Sequence, residues 1–151
     1  MNENQTILLV DDSENDICLV RAAFRMAELK NPIQETRNGE EALAYLQGEG
    51  PFGDRKQFPL PAVMLLDLNM PMRNGFEVLE WLRAQPGLKR LTVIILTASL
   101  REEDVDRAFD LGANAFLVKP SSIAGLAAIG RSLRDWIGCT QFPQLNELVR
   151  R

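Results

Sequence analysis

The chain has 151 residues, of which 46% are apolar, 25% charged and 7% aromatic, with a formal net charge of -4 and no histidine. That length suits one domain with its own core, without disulfides or structural metal, and the composition is globular rather than disordered, fibrous or membrane-embedded. The acidic balance excludes attachment to nucleic acid through a basic face, and the missing histidine excludes Ser-His-Asp and Cys-His catalysis, histidine-bearing metal sites and a phosphohistidine donor role.

The chain opens on Met1-Asn2-Glu3-Asn4-Gln5-Thr6, with no basic region leading into a long apolar run, and no later stretch is apolar enough to span a bilayer, so the reading is cytoplasmic. Ile7-Leu8-Leu9-Val10 is short and continuously apolar, as a strand buried on both faces of a parallel sheet would be. Ile17, Val20, Arg21 and Phe24 then recur at helical spacing. Ile33-Gln34-Glu35-Thr36 is a weaker, alternating strand suited to an edge. The helix after Asn38-Gly39 begins with Glu40-Glu41, where carboxylates complement the helix dipole.

The segment from Gly48 to Pro61 is long for a connection in a compact domain. Its Gly48-Glu49-Gly50-Pro51-Phe52-Gly53 fits G-x-G-x-x-G, but it follows a helix, contains Pro51 and opens no helix, so it reads as a mobile surface loop rather than a dinucleotide site. Ala62 to Leu66 is a buried strand, Val78, Leu79 and Leu82 mark a helix, and Thr92 to Leu96 is the next strand. Val105, Ala108, Phe109 and Leu111 mark another helix, Ala115-Phe116-Leu117-Val118 a strand like the first, and Ser121 to about Trp136 a helix with a Ser-Ser start after Pro120. Beyond Gly138, Phe142, Leu145, Leu148 and Val149 fit a short amphipathic helix. The division is thus a domain over 1–138 and an extension over 139–151, with no separate output domain. Cys18 and Cys139 lie far apart and read as reduced thiols.

Five strand-helix units joined by right-handed crossovers give an α/β doubly wound sheet with helices on both faces. Such sheets carry their sites at the carboxyl ends of the strands. Asp11 and Asp12 follow the first strand, Asp67 the third, Thr97 the fourth, and Lys119-Pro120 the fifth. Alone, the acidic pair before Ser13 reads as a turn and cap, Thr97 as a helix cap, Lys119 as a snorkelling side chain and Phe116 as core. Their coincidence on one rim says more. Three carboxylates there repel one another unless a cation or an ammonium joins them, and an all-oxygen donor set selects a hard ion such as Mg2+. A carboxylate nucleophile, a divalent ion and donors from Thr97 and Lys119 are the parts of phosphoryl transfer.

The pattern Asp11-Asp12, then Leu66-Asp67-Leu68-Asn69-Met70-Pro71 with Gly75, then Thr97-Ala98-Ser99, then Lys119-Pro120, resembles the receiver domains of bacterial response regulators over residues 6 to 137. The resemblance implies a flavodoxin-like five-stranded parallel sheet of order 2-1-3-4-5 with five helices. It implies Asp67 as phosphoacceptor, with Mg2+ held by Asp12, Asp67 and the Asn69 backbone carbonyl, and with Asp11 near or through water. It implies Thr97 and Phe116 as the pair coupling phosphorylation to the surface of the fourth and fifth helices, and a cis peptide at Lys119-Pro120. Asn69 and Ser99 would tune dephosphorylation by gating the attacking water.

The long loop and the lack of an output domain resemble single-domain regulators that partner phytochrome-type histidine kinases. The expected function is a stand-alone response regulator, not an enzyme beyond its own phosphotransfer and self-dephosphorylation. Its partners would be a sensor histidine kinase and a second copy docked through the fourth and fifth helices. The rival is a haloacid-dehalogenase-like phosphohydrolase using Asp67. Against it, that family places an acid two residues after the nucleophile, where this chain has Asn69, and here the acidic pair comes earlier.

Overall fold

The computed structural model describes residues 2–146. Five strands, β1 (Ile7–Val10), β2 (Ile33–Thr36), β3 (Val63–Leu66), β4 (Thr92–Thr97) and β5 (Ala115–Val118), alternate with five helices, α1 (Glu14–Met26), α2 (Gly39–Gln47), α3 (Gly75–Arg83), α4 (Glu102–Asp110) and α5 (Ile123–Cys139). All pairings are parallel and the order is β2-β1-β3-β4-β5, as expected.

Side chains alternate across a strand, so each apolar run feeds two cores. Leu8, Val10, Met64, Leu66, Val93 and Ile95 face α2, α3 and α4. Ile7, Leu9, Val63, Leu65, Ile94 and Leu96 face α1 and α5, where Gly130 lets the helices meet so closely that a Cβ there would press on Ala27 and Phe24. Four helix starts are capped by the residue just before them: Ser13, Asn38, Asn74 and Ser122 each accept a backbone N–H two or three residues into the helix. These caps fix where each chain segment leaves the sheet's upper rim. Among the described residues no helix is long and apolar enough to cross a membrane.

The structure sharpens or corrects the sequence reading at four points. Ala115–Val118 is less buried than the first strand it resembles in sequence: β5 is the outer strand of the expected order, with Val118 40% exposed, and a short apolar run does not by itself distinguish an edge strand from a central one. The segment from Gly48 is a surface loop, as expected, but it is folded back against α2. It holds a short 3-10 turn (Gly50–Phe52) whose Phe52 packs with Tyr45 and Phe58. The tail through 146 is not helical. Phe142 packs edge-on against Trp136, and the Asn146 N–H donates to the Gly87 carbonyl at 2.8 Å, so tertiary contacts outweigh the local pattern. Leu148 and Val149 lie outside the described residues. Finally, no peptide among the described residues is cis, so Lys119-Pro120 is trans, the isomer an X–Pro amide prefers by about 0.5–1 kcal/mol.

Candidate functional site

The rim is set by backbone pairing that continues one residue past the strands. The Asp11 N–H donates to the Thr36 carbonyl (3.1 Å), the Asp67 N–H to Val10 (3.0 Å) and the Lys119 N–H to Thr97 (2.7 Å). Alternation then sends Asp11, Asp67 and Lys119 to the α1/α5 side, in phase with Leu9, Leu65 and Leu117. Thr97 and Phe116 are in phase with Ile95 on the other side.

Asp11 is buried and both its oxygens are engaged: Oδ1 accepts the Ser13 N–H at 3.0 Å and Oδ2 accepts Lys119 Nζ at 2.6 Å. Asp12 beside it is exposed and open to a ligand. Asp67 is buried, with Oδ2 3.6 Å from Lys119 Nζ. Asp11, Asp12 and Asp67 each offer one carboxylate oxygen within 4.8 Å of the others. A hard divalent cation fits this donor set, which contains no nitrogen or sulfur.

The electrostatics match that use. Burial pushes the Asp67 carboxyl above its usual range and the Asp11 charge adds to this, while Lys119, the Thr97 hydroxyl and the Asn69 N–H pull the other way. A cation there would relieve the conflict. On Lys119, burial disfavours the charge, but hydrogen bonds to Asp11 and Asp16 and the charges of Asp67 and Asp11 outweigh it, so the ammonium is held firmly protonated.

Thr97 is fully buried at the end of β4 and caps no helix; α4 starts five residues on, after Arg101, with no side-chain cap. Ser99 donates to Asp104 Oδ2 at 2.5 Å and so ties the β4-α4 turn to α4. Asn69 is exposed at the mouth of the site, and Phe116 is half-buried against the core on the α4 side. Pro120 follows Lys119 and packs on Gly125 at the start of α5.

The loop after β3 is held by its neighbours. Gly75 passes so close to Asp67 and Leu68 that a Cβ would collide with their backbone. Met72 and Arg73 both have positive φ (52° and 79°); the Met72 carbonyl accepts the Glu40 N–H at 3.1 Å, and Arg73 pairs with Glu40 at 2.5 Å. One site residue was not foreseen. Asp16, in the first turn of α1, accepts from Lys119 Nζ at 2.8 Å, and the only trace of it in the sequence is its place four residues after Asp12.

Comparison with known proteins follows the same lines. The model of the response regulator receiver domain matches residues 7–130. Response regulator Rcp1 of Synechocystis sp. is 33% identical over 143 residues, covering 94% of this chain and 95% of Rcp1. The crystal structure of response regulator RPA3017 in red light signaling of R. palustris superposes with a TM-score of 0.87 at 33% identity, covering 93% of this chain and 99% of that one. The phosphorylated cyanobacterial phytochrome response regulator RcpA gives 0.84 at 32% identity, with coverages of 93% and 99%. The Mn2+-bound form of Rcp1 gives 0.80 at 33% identity, with coverages of 92% and 99%.

Proposed function

The chain belongs to the response regulator receiver family of two-component signalling, and from that premise we propose that Asp67 is its phosphoacceptor. The family match sets aside the phosphohydrolase reading, in agreement with the order of the acidic residues. In the proposed reaction an Asp67 carboxylate oxygen attacks the phosphorus of a phosphohistidine on a sensor kinase. The P–N bond breaks, its electron pair passes to the imidazole nitrogen, and an acyl phosphate remains on Asp67.

Mg2+ is the ion we assign to the acidic pocket: Asp12, Asp67 and the Asn69 carbonyl would hold it, with Asp11 near or through water, and when bound it would supply positive charge against the transferring group. Asp67 supplies the nucleophile. Lys119 and Thr97 donate to phosphoryl oxygens. The observation that carries the reading is a buried carboxylate whose proton affinity is raised by its surroundings, 3.6 Å from a fixed ammonium and within a three-carboxylate pocket.

The output is a changed binding face: Thr97 moves toward the phosphoryl group, and Phe116 fills the space behind it, shifting a two-state equilibrium of the α4 and α5 surface. A homodimer would dock through the α4 and α5 surface, and the apolar groove lined by Ile94, Leu117, Ile129, Leu133 and Trp136, which runs between the β5 edge and α5, adds apolar area on its α5 side. The phytochrome-linked relatives support a phytochrome-type kinase partner in the cytoplasm, and self-dephosphorylation is tuned by Asn69 and Ser99. Incubation with Mg2+ and a small phosphoryl donor should yield one phosphorylated species that is lost on chelation and in Asp67→Asn. Undiminished labelling of Asp67→Asn would overturn the assignment.

A further inference from the structure

The Lys119 ammonium sits at the end of a flexible stem, yet its place is sharply defined. One N–H is given to Asp11 Oδ2 (2.6 Å) and another to Asp16 Oδ2 (2.8 Å), while Asp67 Oδ2 at 3.6 Å lies beyond hydrogen-bond range. Asp11 is fixed by the Ser13 N–H, and the Asp16 backbone is fixed because its own N–H is capped by Ser13 Oγ at 3.2 Å. Asp16 does not belong to the three-carboxylate pocket. A cation held in that pocket would draw on Asp11, directly or through water, and so would compete with Lys119 for it. Asp16 is the one partner of the ammonium that the cation leaves alone.

We propose that Asp16 is a positioning residue for phosphoryl transfer, which holds Lys119 so that its third N–H points into the gap in front of Asp67. An acyl phosphate lengthens Asp67 by a phosphorus-oxygen bond and places a phosphoryl oxygen in that gap. Lys119 then meets it without giving up Asp16, and no reorganisation is required as charge develops. This rests on Asp67 being the phosphoacceptor. The opposite expectation is also physical: Asp16 is a further negative charge near an arriving phosphoryl group, and if repulsion dominated, its removal would speed the reaction.

The full chain with Mg2+ and phosphoramidate as donor distinguishes the two. In Asp16→Ala the maximal phosphorylation rate should fall by about five- to tenfold, with the half-saturating donor concentration changed by less than about twofold. Asp16→Glu should recover part of the rate, whereas Asp16→Asn, which keeps the shape without the charge, should recover less. In a Lys119→Ala background, Asp16→Ala should have no further effect. An unchanged or faster Asp16→Ala, or the same fall without Lys119, overturns the proposal.

A second readout needs no phosphorylation. The 15N-detected Lys119 ammonium, slowed in exchange by its two carboxylates, should be visible in the wild type and lost or broadened in Asp16→Ala. An unaltered resonance overturns the contact itself. A wild type that takes no phosphoryl group on Asp67 overturns the parent reading, and the role of Asp16 with it.

Discussion

The two ends of β3 are built on opposite terms. At its amino end, between α2 and β3, no buried side-chain polar atom among the described residues lacks a partner. Tyr45 is fully buried, its hydroxyl donates to the Pro59 carbonyl at 2.7 Å, and its ring meets Phe52 and Phe58 at centroid distances of 5.2 and 6.0 Å. Burial pushes its phenol up to about 12, so it remains a donor. Arg55 donates to the carbonyls of Tyr45, Leu46 and Phe58, and Gly48 in the left-handed region closes α2. At the carboxyl end, Asp67 is buried among like charges with one ammonium to share. One end holds the fold together, and the other holds a conflict that a bound cation would relieve. Stability and signalling therefore answer to different residues.

That contrast predicts opposite responses to truncation. Tyr45→Ala removes a buried ring and its hydrogen bond and should cost about 3–5 kcal/mol in urea unfolding, while the molecules that remain folded still label at Asp67. A loss below about 1 kcal/mol would mean the lobe is a surface appendage. Divalent metal should act at the other end. Mg2+ at a hundredfold its dissociation constant should stabilise the wild type by about 2.7 kcal/mol, and Tyr45→Ala by the same increment, but Asp12→Asn much less. Equal stabilisation of Asp12→Asn would place the ion elsewhere.

How much of this was legible in the sequence follows from the range of the forces involved. The strands at Ile7, Val63 and Thr92 declare themselves because each is long enough in apolar residues to be buried on both faces, and the rim residues Asp11, Asp12, Asp67, Thr97 and Lys119 stand directly after them. The edge position of Ala115–Val118 came only through the strand order that the resemblance implied, because the lower burial of an edge strand leaves no mark in its four apolar residues. The ordered lobe was hidden for a similar reason: its glycines and proline read as a loop, while Tyr45, Phe52 and Phe58 become a cluster only when α2 and the following turn fold back. Asp16 was missed because a helix-start carboxylate normally serves the dipole, and its partner Lys119 is 103 residues away.

The smallest expected effect is the sharpest test of the conflict at the rim. In chelator, Asp67→Asn keeps the shape of the side chain and removes one buried charge, so the variant should be more stable than the wild type at neutral pH by about 0.5–2 kcal/mol. The folded protein binds the Asp67 proton more tightly than the unfolded chain does, so ionised Asp67 lowers stability at neutral pH. That cost fades as pH falls through the raised folded-state value and is gone below the ordinary value of 3.8. The advantage of Asp67→Asn should accordingly shrink on acidification, and saturating Mg2+ should reverse its sign at neutral pH, because only the wild type gains the ion. A variant less stable than the wild type in chelator at neutral pH would mean that Lys119, Thr97 and the Asn69 N–H more than compensate the buried charge, and the two ends of β3 would then be alike in being satisfied.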